Sequence, residues 1–194
     1  MAGNGLLGVQ NLSIMKFHVL YKELEMQKLV KKPLNNIELM QKLGGDVNIV
    51  TYRQLMGTPT LQMLFKRSNN VILFYEHPTG IGHWTCLFRD HKGIHYFDSY
   101  GKRPDQGVDF KSPYLKSLGI TYPRLTYLLI KSGLPVEYFP YPMQNKGDKE
   151  ATCGRWCLIR LLFKNLADEE FYELFKNRPD LTSDELSVIL TECL

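Results

Sequence analysis

Ala151-Thr152-Cys153-Gly154-Arg155-Trp156-Cys157-Leu158-Ile159-Arg160-Leu161-Leu162-Phe163 is the stretch whose reading decides the fold. From Cys157 to Phe163 it is apolar on nearly every face, broken only by Arg160, and no proline interrupts it until Pro179. That pattern predicts a helix buried in the core rather than one lying on a surface. Its first turn carries a cysteine beside a glycine. A thiol at a helix N-terminus faces unpaired backbone N–H groups and the positive end of the helix dipole, and both favour thiolate over thiol. Gly154 has no side chain to screen the sulfur and lets another backbone approach closely. Cys153 is therefore a candidate nucleophile; the plainer alternative is a buried, inert thiol. Cys157 lies one turn deeper among Trp156, Leu158 and Leu161, where the dipole effect has faded, and reads as core.

Two upstream segments bear on that choice. His83-Trp84 opens a run rich in β-branched and aromatic residues, His83–Arg89, and Asp98 closes the next, Gly93–Asp98. The connection Asp90-His91-Lys92-Gly93 makes them a hairpin in which Arg89 pairs with Ile94 and Thr85 with Asp98. His83 then stands diagonal to Asp98 on one face, within about 7–8 Å. A slip of one residue would put them on opposite faces. A carboxylate holding one ring nitrogen fixes the tautomer and supports imidazolium, so the other nitrogen can take a thiol proton. A hydrogen-bonded rim histidine is the alternative. His95 is on the wrong face by parity, His91 sits in the turn, His77 in a loop and His18 near the end of an amphipathic stripe. Gln144 precedes Cys153 by nine positions. Its amide N–H, with the backbone N–H of Cys153, can stabilise the oxyanion of a tetrahedral intermediate, and Asn145 is a competing donor.

At 194 residues the chain is long enough for one domain, 1–194, with a proper core, and the Gly-rich segment 1–12 is expected to be mobile. A hydrophobic content of 44% and a charged content of 23% are those of a soluble globular protein. No run reaches the ~18 apolar residues of a membrane span. The N-terminus lacks a basic segment followed by an apolar one, so no secretory leader is expected. Cys86, Cys153, Cys157 and Cys193 have no framework spacing, which points to free thiols in a reducing compartment; no second ligand pair has a zinc-type spacing, so no metal is expected. The net charge of +4 is scattered, with excesses at Lys16–Lys32 and Lys102–Lys131. It reads as a solvated surface that leaves nucleic-acid contact open.

The remaining pattern predicts helices over Ser13–Lys32, Asn36–Leu43, Thr58–Lys66, Pro123–Lys131, Asp168–Asn177 and Thr182–Cys193, the last with a Thr182/Glu185 capping box. Further strands are predicted at Val71–Glu76 and, near a sheet edge, Val136–Tyr141. Helices, then a strand cluster, then helices make an α+β fold, its mixed or antiparallel central sheet packed on the buried helix.

The order Gly82-His83-Trp84, Tyr96-Phe97-Asp98-Ser99-Tyr100-Gly101, Gln144, then Cys153-Gly154 followed by Cys157 resembles the adenovirus-type maturation proteases. It also resembles the SUMO-type ubiquitin-like-protein proteases that share their fold. The resemblance implies a papain-like cysteine protease superfold, with His83 as general base, Asp98 as its orienting carboxylate, Gln144 as oxyanion donor and Cys153 as nucleophile. Two spacings depart from the family's pattern: His83 to Asp98 is slightly short, and Gln144 to Cys153 a few residues long. The Phe-Asp-x-Tyr-Gly segment and the chain length look more like the viral branch, including the proteases of virophages and Polinton-type transposons.

The resemblance thus implies a cysteine endopeptidase that cuts capsid and other structural precursors next to glycine during virion maturation. Its place would be the virion or a viral assembly site in the host cytoplasm. Trp84, Gly82, Gly154 and Gly80 would shape a narrow substrate groove, no cofactor would be needed, and DNA or a short peptide would be an activator. Met1-Ala2-Gly3-Asn4-Gly5 resembles the viral cleavage pattern, which implies self-processing after Asn4. Two alternatives stand beside this reading: a deconjugating protease for a ubiquitin-like protein, and a non-enzymatic capsid-binding member of the fold.

Overall fold

A computed structural model of the chain describes residues 22–79, 82–145, 150–176 and 180–194. Segment 1–12, His18, the start of the first predicted helix, the cleavage point after Asn4, Gly80, Asn177 and Pro179 lie outside the described residues. The described chain runs α1 (22–31), α2 (Asn36–Lys42), β1 (Asn48–Thr51), α3 (Tyr52–Met56), α4 (Leu61–Leu64), β2 (Asn70–Tyr75), β3 (His83–Arg89) and β4 (Ile94–Phe97). It continues with α5 (Pro113–Ser117), α6 (Arg124–Ser132), β5 (Val136–Tyr138), α7 (Cys153–Leu162), α8 (Asp168–Phe175) and α9 (Ser183–Glu192). The fold is α+β around a five-stranded mixed sheet in the order β1-β2-β3-β4-β5. The three central strands are antiparallel, while β1 and β5 lie parallel to their neighbours at the two edges.

The β3–β4 register pairs Arg89 with Ile94 and Cys86 with Phe97, as the hairpin reading expects. The turn chemistry explains it. Asp90 Oδ1 accepts the N–H groups of Lys92 and Gly93, at 2.8 and 3.2 Å, so the side chain imitates a backbone turn.

Strand alternation sorts the sheet's side chains into two cores. Trp84, Cys86, Phe88 and Phe97 face α7 and α8, meeting Trp156, Cys157 and Phe171. Val71, Leu73, Leu87 and Tyr96 face the opposite layer, with Tyr52, Leu55, Leu125 and Leu128. β3 is covered on both sides, which is why it reads as a nearly continuous apolar run.

α7 is buried from Cys153 to Leu161, arginines included. Arg160, the one charge in its apolar run, turns to the helix C-terminus. It donates to the carbonyls of Phe163 (3.0 Å) and Leu166 (3.3 Å) and to Asp168 Oδ1 (2.9 Å), with Phe88 and Phe171 beside its guanidinium. Carbonyls at and just beyond the helix end and a carboxylate thus engage the two terminal nitrogens of a buried cation. Three elements escape the sequence reading: β1, α3 and α5. The predicted helix Thr58–Lys66 is shorter, at Leu61–Leu64, and the predicted strand Val136–Tyr141 ends at Tyr138.

Candidate active site

β3 begins with His83 and β4 ends one residue before Asp98, so the hairpin register delivers the ring to the carboxylate. His83 Nε2 lies 3.1 Å from Asp98 Oδ1. Asp98 also heads a tight turn. Its Oδ1 accepts the Tyr100 N–H at 2.7 Å, and its carbonyl accepts the Gly101 N–H at 2.8 Å. Gly101 has a φ of +68°, and a Cβ there would stand 2.8 Å from the Pro140 carbonyl oxygen, so the turn requires glycine. Tyr100 folds back to stack on the His83 ring, centroids 5.0 Å apart and planes at 24°. The Asp98-Ser99-Tyr100-Gly101 spacing is therefore the geometry of one turn that grips an imidazole.

With Nε2 engaged by Asp98, the His83 ring keeps its other nitrogen free to face the cleft it shares with Cys153. Burial opposes a charged ring. The hydrogen bonds to Asp98 and Cys153, and the charges of both, outweigh it and push His83 up to about 10. Tyr100 is pushed up to about 12, by burial first and then by the Cys153 and Asp98 charges.

Cys153 is the first residue of α7 and is nearly buried. The next residue, Gly154, sits under Trp84; a Cβ there would be 3.2 Å from the indole Cδ1. Trp84 is held in turn by its Nε1–H on the Leu34 carbonyl (3.1 Å) and by the Phe74 ring at 4.5 Å. A Cβ at Gly82 would collide with the Phe74 ring and the Tyr75 carbonyl.

Gln144 is buried and anchored by Ser99. The Ser99 carbonyl accepts the N–H groups of Met143 (2.8 Å) and Gln144 (2.9 Å), and the Ser99 hydroxyl donates to Gln144 Oε1 at 2.8 Å. The Glu150 carbonyl, which can only accept, fixes which end of the amide is nitrogen. Nε2 donates to the Glu150 carbonyl at 3.1 Å, and a carboxamide carries two N–H donors, so this bond leaves the other hydrogen for a second acceptor. Asn145, the competing donor, has an exposed side chain and gives its backbone N–H to Asp184 Oδ2 at 3.0 Å.

His83, Trp84, Gly82, Asp98, Gln144 and Cys153 all line one cleft of about 1630 Å³. Gly154 lies one layer behind, against Trp84. The volume exceeds the roughly 300–1,000 Å³ of small-molecule sites and suits an extended polymer. His95 is away from it, between Asp90 (3.1 Å) and Glu137 (3.0 Å). The four cysteines are free. Burial pushes the Cys157 thiol well up, which leaves it a core thiol. Among the described residues no group of three or more His, Cys, Asp or Glu could hold a metal, and no helix is long and apolar enough to cross a membrane.

Sequence reasoning gave no role to Ser99, Tyr100 or Asp184. Ser99 and Tyr100 lie inside the Phe-Asp-Ser-Tyr-Gly motif, where spacing was the available signal; Asp184 had none, because only tertiary folding brings it to the site.

No protein-family model matches the chain. Among solved structures it is similar to ChlaDub1 from Chlamydia trachomatis, with a TM-score of 0.47 and 13% identity over 84% of this chain and 91% of that one. It is also similar to the yeast C-terminal Ulp1 protease domain in complex with Smt3, the ortholog of SUMO. There the TM-score is 0.37 and the identity 14%, over 83% of this chain and 76% of that one. The sequence likeness to the uncharacterized protein V9 of Sputnik virophage is stronger, 31% identity over 175 residues. Because that alignment covers 86% of this chain and 98% of the virophage protein, the chain belongs to the V9 family.

Proposed function

We propose that the chain is a cysteine endopeptidase that cleaves viral structural precursors beside glycine during particle maturation. The observation that carries this reading is one cleft lined by both His83 and Cys153, with the Asp98 carboxylate 3.1 Å from His83 Nε2. In the proposed reaction His83 takes the Cys153 proton and the sulfur attacks the scissile carbonyl. The C–S bond forms as the carbonyl electron pair moves to oxygen, facing the Gln144 amide and the Cys153 N–H. Collapse restores the carbonyl and expels the amine, which takes the proton from His83. Water, deprotonated by His83, then releases the acid and the thiol. No step needs a cofactor.

Trp84 as a side wall and Gly82 beside Phe74 narrow the cleft next to His83, which favours a substrate residue without a side chain. Membership in a virophage family supports viral precursor proteins as the substrates. Co-expression with a capsid precursor, beside Cys153→Ala, tests the reading: wild type converts the precursor and the variant does not. Conversion by the variant would refute it. Cleavage of ubiquitin-like conjugates with capsid precursor left intact would replace the substrate and keep the chemistry. Added DNA that raises the rate at low salt, but less as salt increases, would identify the activator.

A further inference from the structure

Asp184 lies in the first turn of α9, distant in sequence from every residue of the candidate triad, yet only 1% of it is exposed. Its carboxylate reaches both sides of the proposed oxyanion site. Oδ1 accepts the Thr152 hydroxyl, and Oδ2 accepts the Asn145 N–H at 3.0 Å. Thr152 immediately precedes Cys153, and Asn145 immediately follows Gln144. A threonine at a helix start ordinarily turns its hydroxyl to its own first turn. Thr152 makes no such bond and gives the hydroxyl to Asp184 instead. A buried carboxylate is costly to keep. Burial, joined by the nearby Glu150 charge, raises the pKa of Asp184 against the lowering effect of its hydrogen bonds. Two donors on separate segments call for an acceptor with two oxygens.

We propose that Asp184 is a positioning residue: it ties the segment after Gln144 to the residue before Cys153, and so fixes the two oxyanion donors at one spacing. This rests on the peptidase reading of the cleft. Ser99 fixes the Gln144 side chain to the turn after β4, and Asp184 fixes that segment to the front of α7. Neither residue touches substrate.

The test uses the full chain with Asp184→Asn, which keeps the size and only one acceptor oxygen, and Thr152→Val, which removes only the hydroxyl. Each is assayed on a peptidyl-glycine aminomethylcoumarin amide and titrated with the matching peptidyl glycinal. The aldehyde forms a C–S bond to Cys153 while its carbonyl electron pair moves to oxygen and His83 keeps the thiol proton; the resulting alkoxide lies where the oxyanion of the tetrahedral intermediate would, so the affinity reports that site. The third readout is alkylation of Cys153 by iodoacetamide, which develops no oxyanion.

In both variants kcat is expected to fall about 10- to 100-fold with KM within about twofold, and the aldehyde to bind more weakly by a similar factor. Alkylation should stay within about twofold of wild type, since it draws only on the thiolate. Unchanged kcat in Thr152→Val, or a kcat loss matched by an equal loss of alkylation, would overturn the role of Asp184. If Asp184→Asn fails to fold, Thr152→Val decides. Failure of the peptidase reading looks different: wild type neither cleaves the amide nor captures the aldehyde, Cys153→Ala changes nothing, and the role of Asp184 falls with it.

Discussion

Replacing Asp98 with asparagine removes a charge while leaving the turn almost its own shape. Asp98 Oδ1 takes two donors, the His83 ring at 3.1 Å and the Tyr100 N–H at 2.7 Å, and an amide oxygen can occupy the same place. What disappears is the negative charge beside an imidazolium. Asp98 is 4% exposed, so water screens the pair poorly. Two unit charges about 4 Å apart at an effective dielectric of about 20 attract by about 4 kcal/mol. At about 1.4 kcal/mol per decade, loss of that attraction lowers kcat/KM by about 10³-fold, and the amide dipole restores a fraction of it. The pH dependence follows from the same pair. His83 is raised from 6.5 to about 10, so its partners stabilise the folded chain fully below pH 6.5, and that stabilisation is lost as pH rises through about 10. Removing the Asp98 charge moves the loss, and the alkaline limb of kcat/KM with it, to lower pH. Steady-state rates on a peptidyl-glycine amide from about pH 5 to pH 11, with thermal melts across the same range, read both effects. Activity within about threefold of wild type and an unmoved alkaline limb, in a variant that melts normally, would refute the argument.

Ser99→Ala leaves Gln144 Oε1 without its donor in a buried site, which costs about 1–3 kcal/mol in a urea titration and lowers kcat about tenfold as the amide loses its orientation. Gly154→Ala places a methyl 3.2 Å from Trp84 Cδ1. The gain in helix propensity of up to about 1 kcal/mol offsets the crowding, so the melting temperature changes by only a few degrees while kcat falls at least about tenfold. Cys157→Ala retains activity at a stability cost of about 1 kcal/mol by denaturant titration, whereas Cys153→Ala loses at least about 10³-fold in rate on the same substrate.

The parts of the site legible in the sequence are those set by short-range rules. The Asp90 turn fixes the hairpin register, and the register carries His83 to Asp98. The apolar run from Cys157 to Phe163 announces α7, and its front end announces Cys153. The rest depends on contacts between segments far apart in the chain. β1 is four residues long, only half-buried, and pairs parallel with β2, so its partner is reached by a crossover rather than by a turn. Ser99 is an unremarkable serine until the segment ending at Gln144 docks on it 45 residues later. Asp184 reads from sequence as an acidic residue in the first turn of a capped helix, favourable to the helix dipole and nothing more. Its burial depends on how α9 lies against the front of α7 and the segment around Asn145.

The candidate triad is drawn from two units, a hairpin and a helix, and no local rule sets one against the other. Their joint is Trp84 on Gly154, each the chain neighbour of a site residue, His83 and Cys153. Further along, α7 meets β3 through the Cys86 thiol, 3.8 Å from the Cys157 carbonyl, and through Arg160 on the Phe88 ring. At the front the indole is fixed by the Leu34 carbonyl and the Phe74 ring, and glycine allows the helix to close onto its edge. A side chain there would hold the sulfur off by a few tenths of an ångström, a large error for a proton transfer. The sequence marks the glycine after the cysteine both as leaving the sulfur unscreened and as a place of close approach. Its packing assigns it first to depth: it sets how close Cys153 comes to His83. Access follows from the same contact, because the indole seated on Gly154 becomes the cleft wall beside the sulfur.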